Sequence, residues 1–129
     1  MTTTEAPPNM ITIMIDNQEV TVPRGTTILE AAKSAGIYIP TLCWDPKLKA
    51  YGACRMCVVQ PDGRRQFLAS CVTPADPVPA PPPAERGTMV SQSVRTNTPE
   101  VVDLRKGVLG LLMSEHPHGC LTCDRITHC

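Results

Sequence analysis

Large side chains are almost missing from this chain: Trp44, Tyr38, Tyr51 and Phe67 are the only aromatics in 129 residues. A core so poor in bulk buries little area, and small domains in that position gain from metal cross-links. An excess of charge of one sign is lacking too, because twelve basic and twelve acidic residues cancel. That balance points away from nucleic acid and from anionic membrane surfaces. No apolar run approaches the roughly 20 residues that a bilayer span needs, so no direct membrane span is expected. The opening Met-Thr-Thr-Thr-Glu has neither the basic nor the apolar region of a secretory signal, and a cytosolic chain is expected. Internal repeats are absent. The length allows one small domain plus an appendage.

Cysteine, by contrast, is plentiful, with seven in the chain. In a reducing compartment, clustered thiols favour metal binding over disulfides. Cys43, Cys54 and Cys57 lie along a glycine-containing loop, and Cys71 follows after thirteen residues, in the spacing Cys-x10-Cys-x2-Cys-x13-Cys. Four thiolates so placed can wrap an iron–sulfur cluster or a tetrahedral zinc. Zinc ribbons present two short CxxC knuckles, whereas this site has one CxxC and two isolated cysteines, which favours the cluster. A thioredoxin-like redox pair fits worse, since Cys54-Arg-Met-Cys57 does not open a helix in a βαβ unit. A second set follows as His116-x3-Cys120-x2-Cys123-x5-Cys129. One imidazole and three thiolates suit zinc or a cluster about equally, and His118 and His128 are nearby alternative ligands.

The rest reads as scaffold. Residues 1–9 are expected to be a disordered tail. Met10–Ile15 alternates as a strand with Ile11, Ile13 and Ile15 on one face, Asp16-Asn17 turns, and Val20–Val22 returns. Thr26 or Thr27 caps a helix running to Ala35, with Glu30 in its first turn and Gly36 to stop it. Residues 37–43 are extended and deliver Cys43. Strands at 57–60 and 65–69, joined by Pro61-Asp-Gly63, are expected to bring Cys57 and Cys71 side by side. Pro74–Pro83 holds six prolines in ten residues and is expected to be an exposed polyproline-like loop. Gly87–Val90 is expected to be the last strand of the sheet. Thr98-Pro99-Glu100 starts a helix to about Ser114, with a stripe of Val101, Leu104, Val108, Leu111 and Leu112 expected to pack on its own domain.

Several stretches carry a resemblance: Pro40-Thr-Leu-Cys43-Trp44, Gly52-Ala-Cys54-Arg-Met-Cys57, Ser70-Cys71-Val-Thr-Pro74, and Ser114 through Cys120-Leu-Thr-Cys123-Asp124. In these the sequence resembles the N-terminal region of the large iron–sulfur subunit of respiratory complex I, the NADH-quinone oxidoreductase of bacteria. The same module occurs in the diaphorase small subunit of NAD-reducing hydrogenases, in NAD-dependent formate dehydrogenases and in iron-only hydrogenases. The resemblance implies an α+β architecture: a β-grasp [2Fe-2S] ferredoxin-like domain over 10–96, then a helix and a [4Fe-4S] segment over 97–129. It implies that Cys43, Cys54, Cys57 and Cys71 bind the [2Fe-2S] cluster. His116, Cys120, Cys123 and Cys129 would bind the [4Fe-4S] cluster, which favours iron over zinc there.

The implied function is an electron relay with no catalytic substrate site of its own. It would take single electrons from a flavin-bearing, NADH-oxidising subunit and pass them to other iron–sulfur subunits. The implied place is cytoplasmic, peripheral on the inner face of the cell membrane through the complex. The chain departs from the family in its long proline run. It also ends at the fourth ligand, where relatives continue into further domains, so a truncated second segment is expected. The alternatives are the electron-transfer module of a NAD-linked hydrogenase or formate dehydrogenase and, in another class, a structural zinc-binding interaction module.

Overall fold

A computed structural model describes residues 9–80 and 86–128. β1 (Met10–Ile15) and β2 (Gln18–Pro23) form an antiparallel hairpin with Ile13 opposite Val20 and Ile11 opposite Val22. Asp16 and Asn17 make its two-residue turn at φ 49° and 66°. Such a turn needs positive φ at both positions, and short polar side chains are among the few that tolerate it. Period-two alternation then puts Ile11, Ile13 and Ile15 into the core.

α1 (Ile28–Ser34) starts at a capping box in which the Thr27 hydroxyl accepts from the Glu30 N–H while the Glu30 carboxylate accepts from the Thr27 N–H. Ile28, Leu29, Ala31 and Ala32 are fully buried against the sheet. The small alanines let the helix lie close, which substitutes for the missing aromatics. Gly36 ends the helix at φ 73°.

The five-stranded sheet has the order β2-β1-β7-β3-β4, with β3 Val58–Pro61, β4 Leu68–Ala69 and β7 Ser93–Arg95. β7 lies parallel to β1 and antiparallel to β3. A helix packed across one face of this mixed sheet makes the fold a β-grasp, as expected. A separate ribbon pairs β5 (Val78–Pro79) with β6 (Met89–Val90). α2 (Pro99–Ser114) and a short 3₁₀ turn at Cys120–Thr122 complete the architecture.

Four expectations need correction. First, the last strand of the sheet is β7, not 87–90. Val94 is buried and inserts between β1 and β3, whereas Met89 and Val90 are exposed. Second, Pro61-Asp-Gly63 does not close a tight hairpin. Past Val59 the backbone leaves β4 and follows β7, because the Asp62 carboxylate accepts from the Ser93 hydroxyl and, at 2.7 Å, from Arg95 Nε. The β3–β4 ladder is reduced to Val58–Ala69 and Val59–Leu68.

Third, the described part of the proline run (residues 74–80) is built in. Ala75 is fully buried, its N–H donates to the Thr26 carbonyl at 2.8 Å, and the Gln92 amide donates to the carbonyls of Pro74 and Asp76. Residues 81–83 lie outside the described residues. Gln92→Leu should therefore destabilise the fold by about 1–3 kcal/mol, since it orphans two carbonyls. A shift in the urea midpoint at unchanged slope would measure it. Fourth, the α2 stripe packs on its own domain only in part, through its N-terminal end. Val101 is buried, but Leu104, Leu111 and Leu112 are exposed among the described residues.

Candidate metal centre

Three separate devices bring the cysteine loop to the end of the sheet. Cys43 leaves the extended segment after Ile39, which is buried in the core. The next residue, Trp44, packs partly on the core, and Lys33 of α1 stands 3.4 Å from its ring centroid. This cation–π contact pins the start of the loop to the helix. The tip is then folded by two left-handed residues, Gly52 at φ 70° and Arg55 at φ 61°. A Cβ on Gly52 would stand 3.1 Å from Val72 Cγ2, beside Cys71, so the loop approaches the Cys71 turn closely there. In that turned backbone the Met56 N–H donates to Cys54 Sγ at 3.4 Å. Gly52→Ala should cost about 1–2 kcal/mol from the φ strain alone, and thermal melts of the two proteins would register it.

Cys57 and Cys71 are locked together by Ser70. Its N–H and its hydroxyl both donate to the Cys57 carbonyl, at 3.2 and 2.6 Å, and its side chain is fully buried. The Cys71 turn is held in turn by α1, whose first N–H groups, those of Ile28 and Leu29, donate to the carbonyls of Thr73 and Ser70 at 2.9 and 3.0 Å. The expectation that Cys57 and Cys71 lie side by side holds. What achieves it is the short β3–β4 ladder and Ser70 rather than the Asp-Gly turn.

The four thiols thus form two neighbouring pairs in different surroundings. Cys43 is exposed; hydrogen bonds from the Cys54 backbone, then from its side chain, hold the Cys43 pKa below its ordinary value. Cys71 is 1% exposed, and burial, followed by its hydrogen bond with Cys57, pushes its pKa up to about 12. The charges of Cys43, Cys54 and Cys57 all act on Cys71, so the four groups lie within electrostatic reach of one another. No three histidine, cysteine, aspartate or glutamate side chains among the described residues close on a point that one metal ion fills.

Two consequences can be measured on the cluster-free protein. Iodoacetamide should label Cys43 first and Cys71 last, because the thiolate is the nucleophile. Stability should fall as pH rises from 9 towards 12: Cys71 keeps its proton in the folded state over that window and loses it on unfolding. The depressed Cys43 pKa acts with the opposite sign, and its contribution is already complete once the pH has passed the ordinary value of 9.0.

The second set is arranged differently. His116, Cys120 and Cys123 are all exposed on the segment after α2, and Cys129 lies outside the described residues. The structure does not draw His116, Cys120 and Cys123 around one point. His118 and His128 are equally exposed. Ser70, Lys33 and Trp44 were not legible as site residues from the sequence. Only the position of Ser70 beside Cys71, and of Trp44 beside Cys43, hinted at them.

Residues 8–77 match the 2Fe-2S iron-sulfur cluster binding domain. The chain belongs to that family. Residues 105–129 match a second family, the NADH-ubiquinone oxidoreductase-G iron-sulfur binding region. The chain is 41% identical over 127 residues to the NADP-reducing hydrogenase subunit HndD of Solidesulfovibrio fructosivorans, covering 94% of this chain and 19% of that protein. It is 41% identical over 124 residues to an NADH-quinone oxidoreductase subunit of Mycobacterium tuberculosis (strain CDC 1551 / Oshkosh), covering 95% of this chain and 14% of that one. A crystal structure of an NAD+-reducing [NiFe]-hydrogenase in the H2-reduced state superposes with a TM-score of 0.71 at 33% identity, over 88% of this chain and 42% of that chain.

The chain thus spans less than a fifth of the length of these two curated relatives. It is an iron–sulfur electron-transfer module of the kind carried by NADH-quinone oxidoreductases and by NAD-reducing hydrogenase-type proteins, with domains for a [2Fe-2S] and a [4Fe-4S] cluster. The donor chemistry fits: four thiols at the end of a β-grasp sheet, with a loop N–H turned toward sulfur. No helix among the described residues is long and apolar enough to cross a membrane.

Proposed function

We propose that Cys43, Cys54, Cys57 and Cys71 would hold the [2Fe-2S] cluster. The observation that carries this reading is the pairing of the thiols, one pair at the exposed loop and one buried and tied by Ser70. His116, Cys120, Cys123 and Cys129 are the proposed ligands of the [4Fe-4S] cluster. On this reading 10–96 is the ferredoxin-like unit and 97–129 the second cluster segment.

A bound cluster supplies one-electron acceptance and release, and the protein's own residues do the rest. Cys71, whose thiol burial keeps protonated, gives up its proton on loading, so assembly releases acid and is favoured by rising pH. Burial of Cys57 and Cys71 keeps water from that side, while Cys43 leaves the opposite side open to a partner. The Met56 N–H stabilises charge on the Cys54 sulfur. The partner that best suits such an open edge is a flavin-bearing, NADH-oxidising subunit, with further iron–sulfur subunits as acceptors. The protein would then sit in the cytoplasm, peripheral to the inner face of the membrane through its complex. Relatives named as subunits of NADH-quinone oxidoreductase and of a hydrogenase support this reading.

His116→Cys tests the second ligand set. A thiolate in place of a neutral imidazole should keep the four-iron signal and lower its potential, as the reverse exchange raises it in Rieske centres. His118→Ala should leave the potential where it was. If His118→Ala shifted the signal and His116→Cys did not, His118 would be the ligand.

A further inference from the structure

Arg105 stands apart from the other charged residues of α2. Glu100, Asp103 and Lys106 are exposed, but Arg105 is half-buried and turns back onto the sheet. Its Nη2 donates to the Val58 carbonyl at 2.7 Å, one residue past Cys57. Its Nε is buried and has no hydrogen-bond partner among the described residues. Neither ion pair found among the described residues involves it; those join Arg24 to Asp76 and Arg95 to Asp62. A guanidinium stays charged under all ordinary conditions, so an unpaired, half-buried one is a fixed positive charge in a medium that screens it poorly.

Three groups face it. Cys57 lies within electrostatic reach at the start of β3, Asp16 on the β1–β2 turn, and Tyr38 on the segment that leads to Cys43. The Asp16 carboxylate is already engaged by the N–H and hydroxyl of Thr96, at 2.7 Å for the N–H, and so offsets the guanidinium only in part. Burial works to lower the Arg105 pKa while the charge of Cys57 works to raise it. A cluster held by these thiolates would take up one further negative charge on reduction, beside a cation that nothing else fully uses.

We propose that Arg105 is a positioning and potential-setting residue for the Cys43–Cys54–Cys57–Cys71 site, holding the Cys57 strand end by its bond to Val58 and favouring the reduced state by its charge. This rests on the ligand reading above. Reduction brings one electron, supplied by the dehydrogenase partner or by dithionite in vitro, and makes or breaks no bond of the protein. Arg105 lies on the helix that leads to the second ligand set. The element that carries the charge thus also connects the two sites.

The test uses the whole chain purified anaerobically and a redox titration of its [2Fe-2S] signal followed by electron paramagnetic resonance. Arg105→Gln should disfavour reduction by about tenfold, a shift of about 59 mV to more negative potential for one electron. Arg105→Lys, which keeps the charge, should restore most of that shift. Lys106→Gln, an exposed neighbour, should leave the potential unmoved. Melting curves of the cluster-free variants measure the structural share separately.

An unmoved potential in a loaded Arg105→Gln protein overturns the proposal while leaving the ligand reading intact. Loss of the cluster from both Arg105→Gln and Arg105→Met makes Arg105 purely structural and overturns it as well. A wild-type protein without a reducible [2Fe-2S] signal overturns the ligand reading first, and this proposal with it.

Discussion

Cys54→Ala should abolish the [2Fe-2S] signal of the anaerobically purified protein and leave any [4Fe-4S] signal largely in place. Cys54 is the clean position for this test. It is half-buried and outside the core, whereas Cys57 and Cys71 are 2% and 1% exposed and belong to the core cluster. Removing Cys54 takes away one ligand and one acceptor, that of the Met56 N–H, without opening a cavity under the sheet. The cluster-free melting temperature should consequently move little. Cys71→Ala should lose the signal and lower that temperature as well. The second ligand set lies beyond α2, most of which stands clear of the core, so the two signals should respond separately. Loss of both signals in a Cys54→Ala protein that remains folded would show that the sites are not independent. Quantitative spin counting of the reduced variants settles which holds.

Leu29→Ala should have a large effect, about 2–5 kcal/mol in the cluster-free protein. Domains of this size are stable by about 5–15 kcal/mol, so much of the margin disappears. Leu29 is fully buried in the first turn of α1, in a core whose fully buried side chains include no aromatic to fill the space left behind. Its own N–H also holds the Ser70 carbonyl. A shift of α1 into the cavity would therefore disturb the turn that carries Cys71. Loss of loading should accompany loss of stability, in proportion to the temperature at which clusters are assembled. Urea titration of the cluster-free pair measures the stability, and iron content at two assembly temperatures measures the coupling. Full loading at both temperatures would uncouple α1 from the Cys71 turn.

What could be read from the sequence was local chemistry with a strong period or a specific cap. The alternating isoleucines of β1, the Asp16-Asn17 turn and the Thr27–Glu30 capping box each follow from interactions within a few residues. The cysteine spacing was legible for the same reason that it works: the ligands must lie close along the backbone. What failed depended on distant partners. β7 was missed because a three-residue strand, Ser93–Arg95, has no period to see, and only the slot between β1 and β3 makes it a strand.

The Asp62 carboxylate looked like turn chemistry, yet it answers to Ser93 and Arg95, some thirty residues away. The proline run looked like solvent-facing loop, but Gln92 supplies its carbonyls with donors, and Ala75 is small enough to be buried. The apolar stripe of α2 was real as a pattern. The sequence could not say that only its N-terminal half, through Thr98, Val101 and Arg105, meets the domain. Arg105 is the extreme case, since nothing local marks one basic residue of α2 as different from its neighbour Lys106.

The most direct measurement is the metal and sulfide content of the wild-type protein purified without oxygen, read with its visible spectrum before and after dithionite. An iron–sulfur relay predicts a brown protein with iron and acid-labile sulfide in equal amounts and a spectrum that bleaches on reduction. A colourless protein carrying zinc, without sulfide and indifferent to dithionite, would contradict it.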